Sequence, residues 1–199
     1  MFHVDPRSPC VIGVARETWR PETDAEVGEP LGMWERIARA AAADAGARLD
    51  PLAVVDDVGV VHCQSWNYDD PAGRLADRLQ LKGVRCDVSM LAGTSPQRLV
   101  NAAAERMLRG ETEVALIVGG EALATRARFR RAGEVPRWSW PDPAPPEFPF
   151  NVAEWVLPTE AAHGVQPAWL TFALLDEARR LSLGVSGPDY RAEIGGLLA

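Results

Sequence analysis

The run Gly93-Thr94-Ser95-Pro96-Gln97-Arg98-Leu99-Val100 joins two hydroxyls to a proline and then to apolar residues at helical spacing. That is the composition of a helix entry. A helix start presents N–H groups without intrahelical partners and the positive end of the backbone dipole, so it favours a thiolate, an oxyanion or a phosphate set against it. Ser95 suits the N-cap and Pro96 the first helical position, where its missing N–H leaves nothing unbonded. Thr94 either hydrogen-bonds backbone or aids an oxyanion, and as a nucleophile it lacks a visible base.

Three further groups carry chemistry. His62 and Cys63 stand side by side in Val61-His62-Cys63-Gln64-Ser65-Trp66-Asn67-Tyr68, where a parallel strand delivers residues to the crevice at its carboxyl end. Neighbours in a strand point to opposite faces, so packing or loop hydrogen bonding competes with a role in the cleft. Gly119-Gly120-Glu121 either lets backbone approach a ligand closely or makes a tight strand exit, with Glu121 as a cap or pair. Arg126, Arg128, Arg130 and Arg131 lie within six residues and suit either phosphate recognition or a solvated basic face. His163, in Pro158-Thr159-Glu160-Ala161-Ala162-His163-Gly164, is the other notable imidazole.

These residues need elements to position them. Cys10 to Ala15 reads as a short buried strand, and a helix runs from about Pro30 to Gly46 with Leu31, Trp34, Ile37, Ala38, Ala41 and Ala42 on one face. A strand follows at Val58–Cys63, then a helix from Pro71 stopped by Gly83, and a weaker strand at Val84–Met90. The helix from Ser95 buries Leu99, Val100, Ala103, Met107 and Leu108 and stops at Gly110. Val114–Val118 is the clearest strand, short and branched. Strand–helix alternation with near-continuous apolar strands predicts an α/β fold, a mostly parallel sheet covered by helices. Past Glu121 the prolines and tryptophans up to Pro149 predict a long irregular excursion pinned by aromatic contacts. Helices then follow at Ala168–Leu183 and from Pro188 to Leu198. The division expected is a core over 1–122, and a flap region with helices over 123–199.

The segments Val11-Ile12-Gly13-Val14-Ala15-Arg16, Val58-Gly59-Val60-Val61, the helix from Ser95 and the stretch Gly110 to Ala122 together resemble the N-terminal half of the thiolase superfamily. The likeness is to its sterol-carrier-type and acetyl-CoA-acetyltransferase-like branch. It runs from about Cys10 to Leu198, and Gly93 to Glu121 is its most specific part. In that family a cysteine at this helix start takes the acyl group from coenzyme A and is activated by histidines of the second half. Counted back from Gly110, that cysteine falls on Gly93. The resemblance therefore implies an acyl-CoA thioester as ligand, with Thr94, Ser95, His62 and Cys63 as candidate catalytic residues. Gly93, Gly119, Gly120, Arg126, Arg128, Arg130, Arg131 and His163 are implied as cofactor-binding positions. It also implies altered or incomplete chemistry, with the family's later His-Pro element and second cysteine expected from a C-terminal half or a companion chain, in a homo- or hetero-oligomer. A non-catalytic binding or assembly subunit and a component of a retro-aldol acyl-CoA lyase remain open beside it.

Composition narrows the alternatives. The chain has 199 residues, 47% hydrophobic and 25% charged, which suits an ordered core and excludes a disordered chain. A net charge of -7 disfavours broad nucleic-acid affinity. The three cysteines, Cys10, Cys63 and Cys86, form neither a disulfide framework nor a CxxC metal pair, so no metal and a reducing cytoplasm are expected. No run of 18 uninterrupted apolar residues suggests a membrane span.

Overall fold

The computed structural model describes residues 8–20, 28–46, 50–145, 157–165 and 168–198. They fall into two compact units, Met1–Pro145 and Pro146–Ala199.

The first unit is built on a three-stranded parallel sheet of order β2-β1-β3, with β1 at Asp57–Val60, β2 at Arg85–Val88 and β3 at Ala115–Val118. Asp57 pairs in register with Arg85 and with Ala115, so the three strands start and end level. Helix α1 (Pro30–Asp44) precedes the sheet, α2 (Pro71–Arg78) joins β1 to β2, and α3 (Ser95–Leu108) joins β2 to β3. The first crossover runs from the central strand to the β2 edge and the second from that edge past β1 to β3, so they run in opposite directions across the sheet. Right-handed connections must then lie on opposite faces, and they do. Leu31, Trp34 and Ala38 of α1 and Ala72 and Leu75 of α2 pack with Val58, Val60 and Val118 in one core. On the other face Leu99 of α3 comes so close that a Cβ on Gly59 would stand 3.5 Å from its methyls.

The central strand is buried throughout, as an apolar run covered on both faces must be. The helix ends follow local chemistry. Asp70 accepts from Gly73 N at the start of α2, and Gly110 with φ +73 ends α3. The stop of α2 falls at Arg78, with Gln80 rather than Gly83 taking the first left-handed position.

Several sequence expectations change. Cys10–Ala15 is not a buried strand: the segment has no regular structure and Val11 and Val14 are largely exposed. Its backbone is held instead at the end of α1, where Val14 N donates to Asp44 and Gly13 leaves no room for a Cβ against Ala41 O. Cys10 and Cys86 are exposed. Val100 and Leu108 of α3 also face outward, because the sheet is narrow and one stripe of α3, Leu99 and Ala103, covers it.

The segment after Glu121 is irregular only in part. Helix α4 (Leu123–Arg131) comes first. Residues 134–145 then form a strap tied down by aromatic and polar contacts, as Trp66 meets Trp138 edge-on at 5.5 Å and Arg74 stacks on Trp140 at 3.8 Å. Glu29 accepts from Ser139 N at 2.6 Å and from Arg78 at 2.9 Å, which joins the strap to the start of α1 and the end of α2. Pro146 and Pro149 of the expected excursion lie outside the described residues.

The second unit contains α5 (Pro158–Ala162), α6 (Ala168–Leu183) and α7 (Gly187–Leu198). Tyr190 of α7 donates to Asp176 of α6 at 2.6 Å and is itself buried. No residue of α6 is buried within the unit, and Trp169, Phe172 and Leu175 are open. Among the described residues no helix is long and apolar enough to cross a membrane.

Candidate functional site

Level parallel strands put three exit loops at one end of the sheet. The exit of β1 carries His62, Cys63 and Ser65; that of β2 leads through Ser89 and Met90 to Gly93, Thr94 and Ser95; that of β3 is Gly119-Gly120-Glu121. In open parallel sheets this is the end at which ligands bind.

Hydrogen bonds stitch the three exits together. Glu121 is the centre of the network, accepting from Gln64 N at 2.7 Å, from Ser65 N at 2.8 Å and from the Ser65 hydroxyl. The same Ser65 oxygen accepts from Ala122 N at 2.8 Å. The sequence reads Glu121 as a cap or pair but names neither Ser65 nor Gln64 as its partner, because the bonds join residues more than fifty positions apart. On the other side His62 N donates to the Ser89 hydroxyl at 2.9 Å, and Ser89 N donates to Val60 O.

Cys63 lies beneath this network, buried, with its Sγ 3.2 Å from the Ser65 oxygen and 3.5 Å from Glu121. Burial first, and the Glu121 carboxylate second among the raising influences, push the thiol up to about 11. At neutral pH it is a protonated, covered thiol. His62 is half-buried at the adjacent position.

The start of α3 departs from the sequence reading. Thr94, not Ser95, is the N-cap, and it makes no side-chain cap. Ser95 is buried and its hydroxyl donates to Met90 O at 2.6 Å, closing the β2 exit onto the helix. Ser95 N is bonded to Ala92 O and Pro96 has no N–H, so this helix end offers two fewer free donors than an open one. Gly93 and Thr94 are exposed beside it. A Cβ on Gly93 would meet nothing within 4 Å, so packing does not require glycine there.

The glycines of β3's exit are different. A Cβ on Gly119 would stand 2.8 Å from Val61 Cβ, and one on Gly120 would stand 3.4 Å from the Trp34 indole nitrogen, which donates to Gly120 O. Their smallness answers to the neighbouring β1 exit and to α1.

The arginine cluster occupies α4. Arg126 and Arg130 share a face four residues apart, whereas Arg128 and Arg131 project from others. Arg126 is tied to the β1 exit, donating to Gln64 O at 2.7 Å, and remains exposed there. Arg128, Arg130 and Arg131 are exposed. His163 belongs to the second unit, where it closes α5 with its N–H on Thr159 O and its residue exposed. Among the described residues no cluster of His, Cys, Asp or Glu has the grouping of a metal site.

The fold is similar to that of solved structures, among them a thiolase-like protein. The crystal structure of a monomeric SCP2-thiolase-like protein type 1 from Mycobacterium smegmatis matches with a TM-score of 0.63 and 25% sequence identity, over 95% of this chain and 33% of that one. The chain thus spans about a third of that protein's length. No family model and no curated protein matches. The distant likeness, with a parallel α/β sheet covered by helices, supports membership of the thiolase superfamily.

Proposed function

We propose that the chain binds an acyl-CoA thioester at the carboxyl ends of its three strands, as a thiolase-like protein related to acetyl-CoA C-acetyltransferase whose nucleophilic chemistry is altered. The observation that supports this reading is the convergence of the three exit loops, which brings the α3 start, the backbone of Gly119-Gly120 and the imidazole-bearing exit of β1 to one end of the sheet. Thr94 and the α3 start would polarise the thioester oxygen. Arg126, anchored at Gln64 O, would meet a phosphate of the CoA. Arg128, Arg130, Arg131 and His163 join the list by resemblance alone.

Covalent acyl transfer by this chain alone is not part of the proposal. Gly93 carries no nucleophile, Ser95 is buried and spent on Met90 O, and Cys63 holds its proton. These same facts favour a second reading, a binding or assembly subunit whose acid and base come from a C-terminal half or a companion chain. Calorimetric titration with acetyl-CoA, CoA and dephospho-CoA tests the first reading. Arg126→Ala is expected to weaken CoA by about tenfold, the equivalent of about 1.4 kcal/mol, and more so at low salt. No binding at millimolar ligand would refute it. Mass spectrometry after rapid quench is expected to find no acyl adduct; an adduct at Thr94, Ser95 or Cys63 would replace binding with covalent catalysis.

A further inference from the structure

At the end of the sheet opposite the candidate site, Arg106 in the last turn of α3 donates to Asp57 Oδ2 through Nε at 2.7 Å and Nη2 at 2.6 Å. Its Nη2 also lies 3.5 Å from Asp87, and the Thr112 hydroxyl lies 3.5 Å from the same Asp57 oxygen. Asp57 is the first residue of the central strand and is 1% exposed; Asp87 is on β2. One guanidinium therefore fixes α3 against two strands at once.

The pair is not arranged for maximal stability. Both Arg106 donors converge on one oxygen, and the other, Asp57 Oδ1, is buried with no hydrogen-bond partner. A buried ion pair adds little net stability over apolar residues of similar volume, whereas it strongly disfavours alternative registers that would leave a buried charge alone. The α3 start is tied by the Ser95 hydroxyl to Met90 O in its own lead-in loop, and over the sheet the helix has few buried side chains to set its register. It rests on Leu99 and Ala103 packing over the sheet, with Leu99 over a glycine that presents no side-chain knob. A slide of one residue moves a helix by about 1.5 Å, and displaces Thr94 and Gly93 by as much relative to the sheet's carboxyl end.

We propose that Arg106 is a positioning residue: its ion pair with Asp57 sets the axial register of α3, and with it the place of the Gly93–Thr94 helix start at the sheet's carboxyl end. This rests on the proposed site only in taking that helix start as part of it. No CoA is needed for the test, so the two ideas fail separately.

The test uses a thiol installed where side-chain space is open, Gly93→Cys, and reads its pKa from the pH dependence of iodoacetamide alkylation, followed site by site by mass spectrometry. A thiol at a helix start titrates below the ordinary value of about 8.5. Arg106 is thirteen residues from position 93 and eleven from Ser95 at the start of α3, about 16 Å along the helix axis and beyond the screening length of about 8–10 Å in ordinary buffer, so its charge does not act on that thiol directly. The α3 start travels with the thiol while the β1 and β3 exits, with His62 and Glu121, do not, so in the Gly93→Cys background Arg106→Met and the paired Asp57→Leu/Arg106→Met are expected to shift the reporter's pKa by at least about 0.5 unit, with the paired variant remaining cooperatively folded. Should the neutral variants not fold, Arg106→Lys gives the same reading: the charge persists, the two-armed grip is lost, and a smaller shift is required. An unchanged reporter pKa in a folded variant, whatever happens to the melting temperature, overturns the proposal and leaves the pair a structural bond only.

Discussion

Removing the Glu121 side chain is the sharpest probe of the site's architecture. Glu121→Ala takes away the acceptor for Gln64 N, Ser65 N and the Ser65 hydroxyl. Hydrogen bonds to a charged group contribute about 1.5–3 kcal/mol each, but the three do not count equally. Gln64 and Glu121 are exposed, so water replaces much of the first bond. Ser65 is 1% exposed, so its N–H and hydroxyl are left with no acceptor in a site water does not reach. The expected loss is about 2–4 kcal/mol. For a chain of this size that lowers the melting temperature by roughly 5–15 °C. Glu121→Gln, which keeps one carbonyl acceptor, is expected to lose about half as much. Calorimetry at pH 7 measures both, and amide exchange should show Ser65 losing protection while Val58 and Val60 in β1 keep theirs. A melting temperature within about 2 °C of the parent with unchanged exchange at Ser65 would refute the picture of one carboxylate holding two strand exits together.

Three other outcomes follow from the same geometry. Gly119→Ala forces a Cβ to 2.8 Å from the stiff Val61 side chain and is expected to cost about 1–3 kcal/mol, whereas Gly93→Ala, with nothing within 4 Å, should stay within about 0.5 kcal/mol; urea unfolding of the two variants compares them. Cys63 has its thiol raised from 9.0 to about 11, so the folded state keeps a proton that the unfolded state releases. Stability from this group is intact below pH 9 and falls as pH rises to 11, by about 2–3 kcal/mol; Tyr68, raised in the same direction chiefly by burial, steepens the fall. Cys63→Ala should flatten that slope in denaturant titrations taken across pH 8–11, and an unaltered slope would assign it elsewhere. In native alkylation at pH 8, the exposed Cys10 and Cys86 should be modified while Cys63 is spared, as peptide mass mapping would show.

Legibility differed between the scaffold and the site for a physical reason. Helices α1, α2, α3 and α6 and all three strands announce themselves in local periodicity and in the prolines that begin helices, because those signals are set within a turn or a strand. Cys10–Ala15 misled on the same grounds: a branched apolar run has strand propensity, yet propensity does not supply a pairing partner, and its amide went to Asp44 at the end of α1. Ser95-Pro96 predicted a helix start correctly and misassigned the cap, since a buried carbonyl at Met90 outcompeted the helix's own N–H groups for the serine hydroxyl.

The site residues lie beyond local signals altogether. Gly93 and Gly119 look alike in a sequence, both small and both next to a strand or helix boundary. In the fold one faces open space and the other is pressed on Val61. The difference comes from which exit loops become neighbours, and that is fixed by the order β2-β1-β3 rather than by either glycine's surroundings in the chain. The same order puts Glu121 against Gln64 and Ser65, and so gives a residue that read as a cap or a pair its partners at the end of the sheet. One strand exit thus holds a position open to any side chain and another a position that admits no Cβ without strain, as expected of a scaffold whose packing is fixed where strands meet and free where their loops face outward.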